Sequence, residues 1–186
     1  MQQDAKYTGY VISSDDRILS VFGGWDVFAL NNSAPDTEAM HVVGHSLWYY
    51  VNGHETQSFL NALFFHVRRT GRPVALQYNC SSPDHLRLAE MRVRLLGEQC
   101  LEVTHEIHTE EPRKNSDRSE CNGAEATLTL CSQCLTVSVD QEQAVGSPPK
   151  IDLNRNYTFV VCSNCRTAAR TQIDMSLAAP KVSSGT

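Results

Sequence analysis

The stretch Gly9–Asn31, GYVISSDDRILSVFGGWDVFALN, decides how the first half of the chain is read. Two apolar runs, Thr8–Ser14 and Ile18–Gly24, flank the polar residues Ser14–Arg17. Short runs of β-branched and aromatic residues around such a polar cluster signal an antiparallel hairpin. Gly23-Gly24 breaks the second run, and the apolar segment after it ends in turn chemistry at Asn31-Asn32-Ser33 and Pro35. Asp36 or Thr37 can then cap a short helix reaching Met40.

Outward from the hairpin, the clearest periodicity runs from Glu55 to about Thr70. Phe59, Leu60, Leu63, Phe64 and Val67 recur at helical spacing. Arg68 and Arg69 fall in the last turn, Gly71 is a suitable cap and Pro73 blocks continuation. Strand patterns then return. Val74–Cys80 is the first, and a turn follows at Ser81–Asp84. Ala89, Met91, Val93 and Leu95 alternate with Glu90, Arg92 and Arg94, which is a strand with one wet face. After Gly97, residues Leu101, Val103 and Ile107 alternate with polar neighbours in the same way. Two strands, short helices, one long helix and three strands predict an α+β fold with one antiparallel sheet.

This order resembles the PAS domain family. The resemblance covers roughly residues 5–110. It rests on the opening hairpin, on VVGHSLWYYV (42–51) before the long helix, and on GRPVALQYNCSS (71–82) after it. The chain looks closest to short bacterial proteins in which a PAS domain precedes a cysteine-pair tail. The resemblance implies a PAS-like antiparallel sheet with flanking helices and a small-molecule pocket between them. It also implies association with a protein partner or a second copy, and a role as a sensor in signal transduction. Trp25, Phe28, Trp48, Phe64 and Tyr78 are the candidates for lining that pocket; an ordinary filled core is the alternative. No kinase, cyclase or helix-turn-helix pattern supplies an output.

Composition narrows the classes further. A chain of 186 residues suits one domain with an appendage or two small ones. A net charge of −5 argues against a nucleic-acid footprint, which needs a Lys/Arg excess. No apolar run approaches a membrane span, and MQQDAKYTGY shows no secretory signal, so a cytoplasmic location without membrane contact is expected. The expected organisation is a PAS-like domain over 1–110, a polar linker over 111–124, a cysteine-pair segment over 125–175 and a disordered tail over 176–186.

Of the seven cysteines, four form two Cys-x-x-Cys pairs, Cys131/Cys134 and Cys162/Cys165, separated by 27 residues. Each pair follows a strand-like run. Two thiolates three positions apart on a tight turn can take two corners of one tetrahedron, and a second turn supplies the other two. The expectation is a zinc-ribbon-like segment pinned by structural zinc, with iron in the same site as the alternative. Four thiolates leave no open position for catalysis. Haem attachment fails for want of a following histidine, since Leu135 and Arg166 stand there. The first pair continues as strand, against a thioredoxin-like dithiol; the second could open a helix. Leu135 and Arg166 also occupy positions where such knuckles often carry glycine. The long gap can be absorbed by the loop Gln141–Lys150, because added loop length costs little. A redox switch, with zinc released and disulfides formed, is the second functional reading.

No other residues form a convincing site. His105 and His108 lie three apart, on opposite faces of a strand. Gly44 interrupts the helix that would align His41 with His45. His66 borders the apolar face of the long helix, where a haem ligand is the functional option and a surface histidine the plain one. Asn79-Cys80 lacks the residues that follow the flavin-reactive cysteine of light-sensing PAS domains. No catalytic triad, phosphate loop or carboxylate pair stands out, so a non-catalytic module is expected, with an enzyme using the cavity as the weakest alternative.

Overall fold

The computed structural model describes residues 6–81, 85–112, 128–139, 142–143 and 157–178. The expected linker lies mostly, and residues 179–186 of the expected tail entirely, outside them. Strands β1 (Tyr7–Ile12) and β2 (Ile18–Gly23) form the opening hairpin. Helix α1 (Trp25–Asn31), a 3-10 turn at Pro35–Thr37, the short α2 (Ala39–Val42) and a second 3-10 turn at Leu47–Tyr49 follow. The long helix α3 spans His54–Thr70. Strands β3 (Val74–Asn79), β4 (His85–Leu95) and β5 (Leu101–Pro112) complete a five-stranded sheet in the order β2-β1-β5-β4-β3. Every pairing in it is antiparallel, with Tyr10 opposite Val103 and Val93 opposite Val103 on its other side.

The sheet's inward row and one stripe of α3 make the core. Phe64 and Val67 are fully buried, as are Ile12, Val93, Leu101 and Val103 beneath them. Each such side chain stabilises the fold by roughly 1.5–3 kcal/mol relative to exposure. Helix α3 stops where its sequence says it should. Gly71 takes a left-handed φ of 69° and its amide closes the last turn on the Val67 carbonyl at 2.8 Å.

The hairpin turn also fastens the helices. Asp16 accepts from the Arg68 guanidinium at 2.7 Å and from the Trp48 indole at 3.0 Å. Arg68 donates as well to the Ser13 carbonyl at 2.8 Å. The C-terminal end of α3 is thereby tied to the first turn of the chain.

The cysteine-pair segment builds a second sheet from β6 (Leu128–Cys131), β7 (Val137–Val139), β8 (Glu142–Gln143) and β9 (Tyr157–Val160), in the order β8-β7-β6-β9. Strands β6 and β9 run parallel. Helix α4 (Ser163–Ala178) follows β9 and continues past residue 176, where the tail was expected to begin. The segment expected to be β-rich has a 16-residue helix as its longest element among the described residues. The signal for it is a run of good helix formers, Arg166, Ala168, Ala169, Arg170 and Gln172.

The two parts are packed together. Helix α4 lies against β3, and Ala169 and Ile173 join the core of the first sheet. Strand β9 packs on the start of α3. There Gly53, at φ +85°, leaves room that a Cβ would fill, since one would fall 2.6 Å from the Cβ of Phe159. Glu55 accepts from Arg166 at 2.6 Å and from the Val161 amide at 3.3 Å.

Candidate functional site

Two features stand out chemically: a cavity in the first part and a cysteine cluster in the second.

The cavity has a volume of about 300 Å³ and lies between β1, β5 and the α1–α2 region. Trp25, Phe28 and Tyr78 line it. Trp48 and Phe64 do not. They pack on each other with ring centroids 6.0 Å apart, and Trp48 faces a separate, more polar depression beside His54 and Gln57. Phe64 sits on the inward stripe of α3 and is consumed by the core.

Beside Tyr78, the polar lining comes from residues that sequence reasoning did not assign to a pocket, Tyr10 and His105 among them. His105 and Tyr10 are diagonal neighbours on adjacent strands, their rings 5.7 Å apart. The Tyr78 hydroxyl lies 2.9 Å from His105 Nδ1. Cys80, at the end of β3, also lines the space and touches the Tyr78 hydroxyl. Strand alternation alone would place Tyr10, Tyr78 and His105 on one face once the register is known; the register is what the sequence lacks. His108 is exposed, at the bulge in β5 where Leu88 pairs with Thr109 and Ala89 with Ile107.

Burial controls the charge states here. It drives the His105 imidazole down to about 4, so the ring is neutral at physiological pH. Burial, reinforced by the Asp16 carboxylate, pushes the Tyr10 phenol up, and burial followed by Cys80 raises Tyr78 well above its usual range. Burial also raises the Cys80 thiol, against smaller opposing effects of Tyr78 and Arg87. The nearest buried cation, Arg87, is already engaged: it donates to Glu110 and to Asn32, each at 2.7 Å, and lies over the Phe28 ring. The hydrogen bond from Arg87 holds the Glu110 carboxyl below its ordinary value.

The cysteine cluster brings all four predicted ligands together. The sulfurs of Cys131, Cys134, Cys162 and Cys165 lie within 4.8 Å of one another. Cys131 and Cys165 are 3.9 Å apart, and Cys134 and Cys162 are 3.8 Å apart. These distances exclude disulfides, whose sulfurs sit at about 2.05 Å. They do fit a tetrahedron. Metal–thiolate bonds of about 2.3 Å give edges of roughly 3.8 Å. The four cysteines are therefore positioned to hold a metal ion, and zinc is compatible with the set.

The local backbone explains the geometry. The first pair forms a knuckle between β6 and β7, closed by the Leu135 amide on the Cys131 carbonyl at 2.8 Å. Leu135 takes the left-handed conformation itself, with φ 56°. The glycine often found there is replaced by a strained leucine whose side chain is 8% exposed. The second pair needs no left-handed residue, because Cys165 and Arg166 lie in the first turn of α4. The Cys162 amide donates to the Cys131 sulfur at 3.4 Å, and the Ser132 amide to the Val160 carbonyl at 2.9 Å, locking the two turns together. Each sulfur of the second pair approaches one from the first, which an isolated dithiol would not require.

The thiols sense this crowding. Burial and then the neighbouring sulfurs raise Cys165. Burial would also raise Cys134, but hydrogen bonds from Thr136 and then from the Cys131 and Cys162 thiols together outweigh it and hold the thiol down. His41, His45 and His66 join no metal-binding group among the described residues. Among the same residues no helix is long and apolar enough to cross a membrane.

No family model matches the chain, and no similar sequence was found among curated proteins.

Proposed function

We propose that the protein is a PAS-like sensory or protein-interaction module, cytoplasmic and non-catalytic, that binds a small molecule in its cavity and uses the cysteine cluster as a structural zinc site. The observation carrying this reading is the sheet order β2-β1-β5-β4-β3 with a cavity left between that sheet and the short helices. A chain built only for rigidity would fill that space. Occupancy would shift the packing of α1 and α2 on the sheet, and a protein partner or a second copy would read the shift. Zinc is favoured over iron as a metal with no redox chemistry and a tetrahedral thiolate preference, suited to stapling β6, β9 and α4.

Native mass spectrometry of freshly purified, reduced protein tests all parts of the proposal together. The expected spectrum carries one zinc per chain, a retained small ligand in a fraction of molecules, and a dimer population. Metal-free protein, with Cys131→Ser leaving stability unchanged, would overturn the structural role of the cluster.

A second reading is favoured by the two cross-pair approaches of 3.9 and 3.8 Å. A peroxide would oxidise two thiolates to a disulfide, itself being reduced to water, and the metal would leave as its ligands were consumed. Zinc retained after mild peroxide, with all four thiols protected, would rule that switch out.

A further inference from the structure

We propose that the cavity selects an uncharged, largely apolar molecule carrying a hydrogen-bond-accepting oxygen, which the Tyr10 hydroxyl receives. The inference rests on the sensory-pocket reading and names the class of ligand that pocket takes.

Three observations lead there. First, most of the wall is apolar: Ile18, Trp25, Ala29, Val42 and Leu47 leave little for a polar ligand to meet. At about 300 Å³ the space matches the small end of ligand pockets, which run from roughly 300 to 1,000 Å³. A one- or two-ring compound fits that description.

Second, the buried polar groups are unequally satisfied. Tyr78 and His105 bond to each other at 2.9 Å. Tyr10 is 6% exposed, and its ring is fixed by an edge contact to Trp25 at 5.9 Å. Among the described residues nothing hydrogen-bonds its hydroxyl. A buried donor left without a partner is destabilising. An accepting oxygen on the ligand restores that bond, and an apolar molecule lacking one does not.

Third, among the described residues that line the cavity, no buried side chain carries a charge that could answer a charged ligand. The phenols are protonated and the imidazole neutral. Arg87 is occupied by Glu110 and Asn32. Lys6 is exposed, at the rim. An anion entering the cavity would lose its hydration without a buried counter-charge, which is strongly unfavourable.

Equilibrium dialysis of the full chain against three probes of one shape tests the proposal: 2-acetonaphthone (a neutral acceptor), 2-naphthoate (its anionic counterpart) and naphthalene (no polar group). The ketone is expected to bind at least tenfold more tightly than the naphthoate and several-fold more tightly than naphthalene. Tyr10→Phe should erase the ketone's advantage over naphthalene without weakening naphthalene binding, and far-UV circular dichroism checks that the variant folds. Should that variant not fold, the ketone-to-naphthoate ratio on the parent protein decides. Val42→Trp, which fills the space, should abolish binding of all three. Naphthoate binding as tightly as the ketone would overturn the ligand class and leave the pocket standing. A ketone advantage that survives Tyr10→Phe would overturn the role of Tyr10. Failure of all three probes to bind the parent protein would overturn this inference and the pocket reading together.

Discussion

The Asn79 amide donates to the Gln133 carbonyl across 2.6 Å, joining the last residue of β3 to the tip of the first cysteine knuckle. Thr56 of α3 reaches the same tip through the Ser132 hydroxyl at 2.8 Å. Tyr78 and Cys80, on either side of Asn79, both line the cavity. The knuckle thus holds the strand end that forms one wall of the pocket. Removing the metal with a chelator should loosen this end first. Hydrogen exchange at the Asn79 amide is expected to speed up at least about fivefold, the loss of one net hydrogen bond, while Val93 and Val103 in the sheet centre stay protected. Equal protection at Asn79 before and after chelation would show the two parts to be mechanically independent.

Leu135 combines strain with burial, and two substitutions separate them. Leu135→Ala removes the buried side chain and keeps the left-handed backbone. Leu135→Gly removes both. The glycine variant should be the more stable of the two by about 1 kcal/mol, the cost of the left-handed conformation for a residue with a Cβ. Chemical denaturation of the metal-loaded variants provides the measurement, and an alanine variant of equal or greater stability would contradict the assigned strain.

His105 links stability to acidity. The unfolded chain takes up a proton on this ring near pH 6.5, whereas the folded chain does so only near pH 4. Between those values the unfolded state binds more protons, so stability falls as pH drops through the window and is retained above it. The contribution is at most about 3 kcal/mol over the full window. A His105→Asn variant should show a flatter decline in melting temperature between pH 6.5 and 4 than the parent protein. Identical slopes would mean that the ring is solvated in the folded state.

Core and surface should differ sharply in cost. Phe64 is fully buried against Trp48 and the sheet, and Phe64→Ala should cost roughly 3–5 kcal/mol. Arg166 meets Glu55 at 2.6 Å, but both side chains are about half exposed. Arg166→Ala should cost under about 1 kcal/mol. Urea midpoints compare the two directly; a larger loss for Arg166→Ala would mean that the contact between α3 and α4 is cooperative with the cluster.

Much of the first sheet was legible in the sequence because its signals are local. The hairpin, the apolar stripe of α3 and the alternation of β4 each announce themselves within a dozen residues. The four cysteines were equally plain, because a repeated spacing constrains geometry. Trp48 and Phe64 illustrate what was not legible. An aromatic residue announces burial, but whether it faces a neighbour or a void depends on helix rotation and strand register. His105 and Tyr10 were missed for the same reason: their partnership crosses from β1 to β5, 95 positions along the chain. Leu135 shows a third limit. Glycine is the cheap solution to a left-handed turn, and here a leucine bears the strain while its side chain is buried.

The sheet's two borders are not alike. At β3 the knuckle and α4 stand against the border. At β2, among the described residues, the backbone hydrogen bonds beyond β1 are those that Ile18 exchanges with Gly44 and His45, and Leu19 beside it is half exposed. An uncovered strand border is where a sheet can accept another strand, and natural proteins usually blunt both. Among the described residues, then, lateral extension of this sheet is polar: it can proceed from β2 and is obstructed at β3. Two copies meeting strand to strand would have to meet there, which would set the cysteine clusters at opposite ends of a continuous ten-stranded ribbon.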